Sequence, residues 1–263
     1  MDWELAYRAV LAVDIEDSSG RGDTALMTIR RVLATTLRES FEQSRIDWSA
    51  CLREDLGDGL RVTAPAGAAK AALIHPLVHE FTARLRAHNR TAAPATSIRV
   101  RMALHAGDLR LGPAGEVAGR PLEVLSRLLD APVTRTALAA APANTVAVLV
   151  LSQHFHEDTV PHGYPGIDPE MFREVTVRSK EFTAPAWLGL AAAPAALSGP
   201  SGPTHPPGLP GPSGPSASHG ALSTVAASER PRGRSTMVNK ASGQGVVYAV
   251  QNGDQHINAT TRP

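Results

Sequence analysis

The chain has 263 residues, enough for one full domain and more, and a formal net charge of +1. That balance supplies no basic excess for a nucleic-acid partner, and an aromatic content of 4% leaves few platforms for stacking bases. The single cysteine, Cys51, excludes an internal disulfide and a cysteine zinc site. The N-terminus has no basic leader and the chain has no long apolar stretch, so a cytoplasmic protein without a membrane span is expected.

In chain order, residues 6–15 form an apolar run that reads as a buried strand ending on Asp14 and Ile15. A Ser/Gly-rich turn follows at 17–20. A helix is predicted over about 24–44, where Leu26, Ile29, Leu33, Leu37 and Phe41 recur every three or four residues. A hairpin comes next, with strands near 48–53 and 60–64 and the turn signal Asp58-Gly59 at its tip. Cys51 falls on the first of these strands and reads as a buried thiol. A second helix is predicted over about 68–88. A strand over 98–111, interrupted at Gly107, leads to the turn Pro113-Ala114-Gly115. Helices near 121–129 and 133–141, a strand over 145–151, and strands near 173–177 and 184–190 complete this part. The order is βαββαβααβ(α)ββ, a mixed α+β domain over 1–190 with a mostly antiparallel sheet flanked by helices.

Residues 191–235 are rich in Pro, Gly, Ser and Ala and cannot bury enough apolar surface to offset their ordering entropy, so a disordered linker is expected. Residues 236–263 regain β-branched character around Val246-Val247-Tyr248-Ala249-Val250, followed by the turn signal Asn252-Gly253. A short tethered strand of this kind stacks with identical copies more readily than it folds alone.

Two aspartates carry the chemistry. Asp14 ends the first strand and Asp58 sits at the hairpin tip, and two carboxylates held by backbone suit a hard divalent cation. Three further patterns follow in order. They are Arg101-Met102-Ala103-Leu104-His105-Ala106-Gly107, the run Gly119 to Arg127 with Glu123 at its centre, and Lys180 between the last two strands. Together with Asp14-Ile15 and Gly57-Asp58, these motifs resemble the class III nucleotidyl cyclase catalytic domain over residues 8–190. The resemblance implies that family's ferredoxin-like cyclase fold. It also implies conversion of a nucleoside triphosphate to a cyclic mononucleotide and pyrophosphate. Asp14, Asp58 and the Ile15 carbonyl would bind two Mg²⁺ or Mn²⁺ ions, and Arg127 and Lys180 would stabilise phosphoryl charge. Those cations come from the second subunit in the family, which implies a homodimer with composite sites.

The chain departs from the family pattern in places. Ser18 replaces an aromatic residue after the first motif, and Glu123 replaces the substrate-orienting asparagine. Glu54 stands at the base-reading position, where a carboxylate accepts from guanine N1–H and N2–H. Glu116, at the partner position, instead suits the adenine amine, so the base stays open and a pyrimidine is compatible too. Glu54, Glu116 and Glu123 are thus the substrate-binding candidates. His105 reads as a structural histidine, and His154, His156, Glu157 and Asp158 as solvated helix residues. The Val-x-x-x-Gln-x-Gly pattern over 247–253 resembles bacterial amyloid signalling motifs of the RIP homotypic type, implying self-assembly or a signalling partner through 236–263. Two other readings fit the same residues: a catalytically silent nucleotide sensor or dimerisation module, and an adaptor acting through its tail.

Overall fold

The computed structural model describes residues 3–190; the linker and the interaction tail expected beyond them lie outside the described residues. Strand β1 (Glu4–Ile15) is followed by α1 (Asp23–Gln43) and the hairpin β2 (Leu52–Asp55) and β3 (Gly59–Thr63). Then come α2 (Lys70–Ile74), α3 (Leu77–Asn89), β4 (Val100–Leu111) and β5 (Val117–Ala118). Helices α4 (Arg120–Asp130) and α5 (Pro132–Ala139) precede β6 (Ala147–Ser152) and the short α6 (Gln153–Glu157). Strands β7 (Phe172–Ser179) and β8 (Phe182–Leu190) close the domain.

The sheet runs β2-β3-β1-β4-β6-β8-β7, with β5 beside β4. Strands β4 and β6 are parallel, and the other pairings among the described strands are antiparallel. This is the mixed α+β architecture that the sequence predicts. The apolar run of β1 reflects cover on both faces. Leu11, Val13 and Ile15 pack with Ile29, Leu33, Leu37, Phe41, Leu77, Phe81 and Leu85 of α1 and α3. Val10 and Ala12 pack on the other face with Leu122, Leu125, Leu128 and Leu129 of α4.

The structure corrects three elements. The helix expected over 68–88 is two helices separated at Pro76, whose ring clashes with the preceding turn and which has no N–H to donate. The first hairpin strand lies later than 48–53, because Asp47 Oδ1 accepts from the Ser49 N–H at 2.9 Å and the Ser49 hydroxyl at 2.7 Å, making residues 47–50 a side-chain-closed turn. Strand β4 continues through Gly107, where the ring of Pro121 fills the space a side chain would need. Among the described residues, no helix is long and apolar enough to cross a membrane.

Candidate functional site

The two aspartates meet because β3 runs beside β1. Asp14 pairs with Gly59 in that ladder, and the Ile15 N–H donates to the Asp58 carbonyl at 3.1 Å. Gly59 makes the approach possible: a Cβ there would collide with the Val13 carbonyl oxygen. Asp14 is buried, and burial raises its pKa above the usual carboxylate value. The charges of Asp58 and Asp130 push in the same direction, while Arg101 opposes them.

Each carboxylate has a donor of its own. Arg101, directly opposite Asp14 in the β1–β4 ladder, forms an ion pair with it. The Arg101 Nε is buried without a hydrogen-bond partner. The buried Ser18 hydroxyl donates to Asp58 Oδ2 at 2.6 Å. The loop between β1 and α1 that carries Ser18 is pinned by Arg21, whose guanidinium donates to the Asp17 carbonyl at 2.6 Å, Glu16 at 2.7 Å and Ser97 at 2.5 Å. Sequence reasoning placed Ser18 and Arg101 within motifs but assigned neither a contact, and it passed over Arg21. An arginine near a Gly-rich turn was the available signal, but its targets are main-chain carbonyls, and the one at Ser97 is distant in sequence.

The proposed base-reading residues are also brought together. Glu54 and Glu116 line one concavity of about 350 Å³ with Leu52, Arg53, Arg61 and Thr63. Glu54 is ion-paired with Arg61, its neighbour across the β2–β3 ladder. Glu116 folds back over its own turn and accepts from the Ala114 N–H at 3.0 Å. On α4, Arg127 lies 3.6 Å from Glu123, one turn earlier on the same helix. Lys180 occupies the tip of the β7–β8 hairpin with φ 55°. The strand order puts three to four strand spacings between that hairpin and β1, about 14–19 Å sideways.

No family model matches the sequence, and no curated protein matches it. Solved structures do match the chain in three dimensions. The guanylyl cyclase Cya2 aligns with a TM-score of 0.51 at 13% identity, covering 75% of this chain and 98% of that one. An adenylate/guanylate cyclase/hydrolase from Silicibacter pomeroyi aligns with a TM-score of 0.53 at 17% identity, covering 72% of this chain and 98% of that one. The chain has the class III cyclase fold.

Within this cyclase fold, His105, His154, His156 and Asp158 each have a structural partner. His105 Nδ1 shares a 2.8 Å hydrogen bond with the Ser152 hydroxyl, which also caps α6 by accepting from the Phe155 N–H. Burial, and secondarily His154, hold the His105 pKa down to about 4. The histidines expected to be solvated divide. His156 is buried and stacks flat on Trp187 at 3.7 Å, whereas His154 shares a 2.7 Å hydrogen bond with the Tyr7 hydroxyl. Asp158 pairs with Lys70. Cys51 is buried, and burial pushes its thiol pKa up to about 11, so it is a packing residue.

Proposed function

We propose that the chain is a nucleotidyl cyclase that acts as a homodimer on a nucleoside triphosphate. The observation that carries this reading is the juxtaposition of Asp14 and Asp58 by the β1–β3 register and the Gly59 close approach. The donor set fits Mg²⁺ or Mn²⁺: the buried Asp14 carboxylate, whose ionisation burial and the neighbouring Asp58 charge oppose, the Asp58 carboxylate and the Ile15 carbonyl are hard oxygen ligands for such a cation. Asp14, Asp58 and Ile15 would hold two such ions, which when bound supply Lewis acidity toward the ribose 3′-hydroxyl and the triphosphate.

The chain's own groups do the rest. The N-terminus of α1 follows directly on the Ser18 loop, with Gly22 at its cap and no side-chain cap, so its N–H groups and dipole favour an anionic phosphate beside the aspartates. Arg127 and Lys180 supply the fixed positive charge that developing phosphoryl charge requires. The lateral offset of Lys180 from β1 supports its action on the Asp14–Asp58 pair of a second copy, giving composite sites. Glu54 and Glu116 take the base in their shared concavity, with Glu54 favouring guanine. Glu123 then acts through Arg127, which it tethers, instead of contacting polyphosphate as a free negative charge.

The test is incubation of the purified full chain with each of the four ribonucleoside triphosphates and Mn²⁺, with mass spectrometry for cyclic products. Asp14→Asn and Asp58→Asn are expected to lower the rate at least about 100-fold. Undiminished product in either variant would remove the two-metal assignment. A second reading has its own support. Arg101 on Asp14 and Glu123 on Arg127 give the site internal ion pairs, as a silent nucleotide sensor would have. Saturable triphosphate binding without product from any base selects that reading.

A further inference from the structure

The first half of β1 presents an unpaired strand edge. Over residues 4–15, β1 pairs with β4 on one side, but β3 covers only Val10–Asp14 on the other. The last bond on that second side runs from the Ala64 N–H to the Ala9 carbonyl at 2.9 Å, so among the described residues no strand continues along residues 4–8. Main-chain groups alternate sides along a strand. Ala9 and Ile15 direct theirs toward β3, so Leu5 and Tyr7 direct theirs along the same open side.

The side chains here are unlike those of a solvated edge. Trp3, Leu5 and Tyr7 are 40%, 68% and 46% exposed, and the last two share one face of the strand. The Tyr7 ring is fixed by its 2.7 Å hydrogen bond to His154 and by the Lys70 ammonium 5.3 Å from the ring centre. An exposed apolar edge whose outward main-chain groups pair with no strand is a template for another strand.

We propose that a second copy of this chain pairs with this edge, antiparallel, about a two-fold axis passing beside Ala6. The segment is self-complementary in that register. Glu4 faces Arg8 of the partner subunit, Leu5 faces the partner's Tyr7, and Ala6 faces the partner's Ala6. The two Leu5–Tyr7 pairs are the hydrogen-bonded ones, because both residues direct their main-chain groups outward. The Glu4–Arg8 pairs fall at non-hydrogen-bonded positions, where Cα atoms approach to about 4.5 Å and side chains lie closest. An axis beside Leu5 would put Glu4 opposite alanine and leave Arg8 to face Asp2, which precedes the strand, and an axis beside Tyr7 would put Arg8 opposite alanine. An axis beside Glu4 or Arg8 would put like charges face to face, which is destabilising. Of these registers, the axis beside Ala6 is the one that pairs both Glu4 and Arg8 with an opposite charge inside the strand. Arg8, which donates to its own Tyr7 carbonyl at 3.2 Å, would exchange that bond for the partner's Glu4.

This contact is distinct from the composite catalytic dimer and does not rest on it. Ala6 lies eight residues before Asp14, about 26 Å along the strand, so a copy seated here leaves the aspartates open.

The test is the mass of the full 263-residue chain, measured by sedimentation or light scattering over a range of concentrations. Glu4→Arg, which places arginine opposite arginine, is expected to reduce the assembly mass at least two-fold, and the double variant Glu4→Arg, Arg8→Glu to restore it. Leu5→Pro, which removes an outward N–H without breaking the β4 ladder, is expected to reduce the mass as Glu4→Arg does. A wild-type chain that stays monomeric, a mass unchanged by Glu4→Arg, or failure of the double variant to recover each overturns the proposal.

Discussion

His105 shows how burial sets the behaviour of a single residue in this domain. Its imidazole sits against Ser152 with a pKa lowered from 6.5 to about 4, first by desolvation. The unfolded chain binds this proton near the ordinary histidine value while the folded chain resists it. Between about pH 6.5 and 4 the unfolded state therefore holds more protons, and stability falls as pH falls through that window. Thermal melts at pH 7.5 and pH 5 are expected to show a drop in Tm that is smaller in His105→Gln, even though the variant starts from a lower Tm. Equal drops would assign the pH dependence to other groups. Ser18 and Arg101 teach the converse lesson at this scale. Each is an ordinary surface residue type, yet each donates to a carboxylate of the candidate site, Ser18 from a buried position and Arg101 from a partly buried one.

At the scale of elements, the β1–β3 ladder is what makes a site out of two separate aspartates. Gly59 is the point of greatest sensitivity, because a side chain there meets the Val13 backbone and has no flexible neighbour to displace. Gly59→Ala is expected to cost about 1–3 kcal/mol in urea unfolding, as overpacking does, and to weaken Mn²⁺ binding by moving Asp58 away from Asp14. Unchanged stability together with unchanged Mn²⁺ affinity would show that the hairpin tip can shift without consequence. The periodic helix α1 is legible in the sequence because its apolar positions recur at helical spacing, and Ile29, Leu33, Leu37 and Phe41 of that series are buried. The break at Pro76 and the later start of β2 are harder to read. The first needs the local cost of one proline weighed against a long amphipathic pattern, and the second turns on Asp47 closing a turn with its side chain.

For the molecule as a whole, the separation of Lys180 from the aspartates leads to a complementation experiment. Asp58→Asn and Lys180→Ala chains should each be inactive alone. Mixed in equal amounts under conditions of subunit exchange, half of the dimers are mixed, and each mixed dimer holds one intact composite site of two. Recovery of about a quarter of the wild-type rate is therefore expected in the cyclase assay. No recovery despite demonstrated exchange would place Lys180 and the aspartates of one chain in the same site. The open edge of β1 belongs to this scale as well, since its self-complementary register acquires meaning only when a second copy is present. The tail over 236–263 remains a proposed homotypic segment that would recruit such assemblies.

By itself the sequence determined the α+β class and most element types, and it nominated Asp14, Asp58, Arg127 and Lys180 as candidates. Periodicity, turn chemistry and motif order are local properties, and they survive any arrangement of the chain. Which groups stand together was decided by the tertiary structure. The sheet order put β3 beside β1 and Arg101 across from Asp14, joined Glu54 and Glu116 in one concavity, and sent Lys180 toward the far edge. It also left the first half of β1, among the described residues, without a strand on the side away from β4. These are pairings between residues far apart along the chain, and strand register, which follows from burial on both faces of the sheet, is the physical quantity that specifies them.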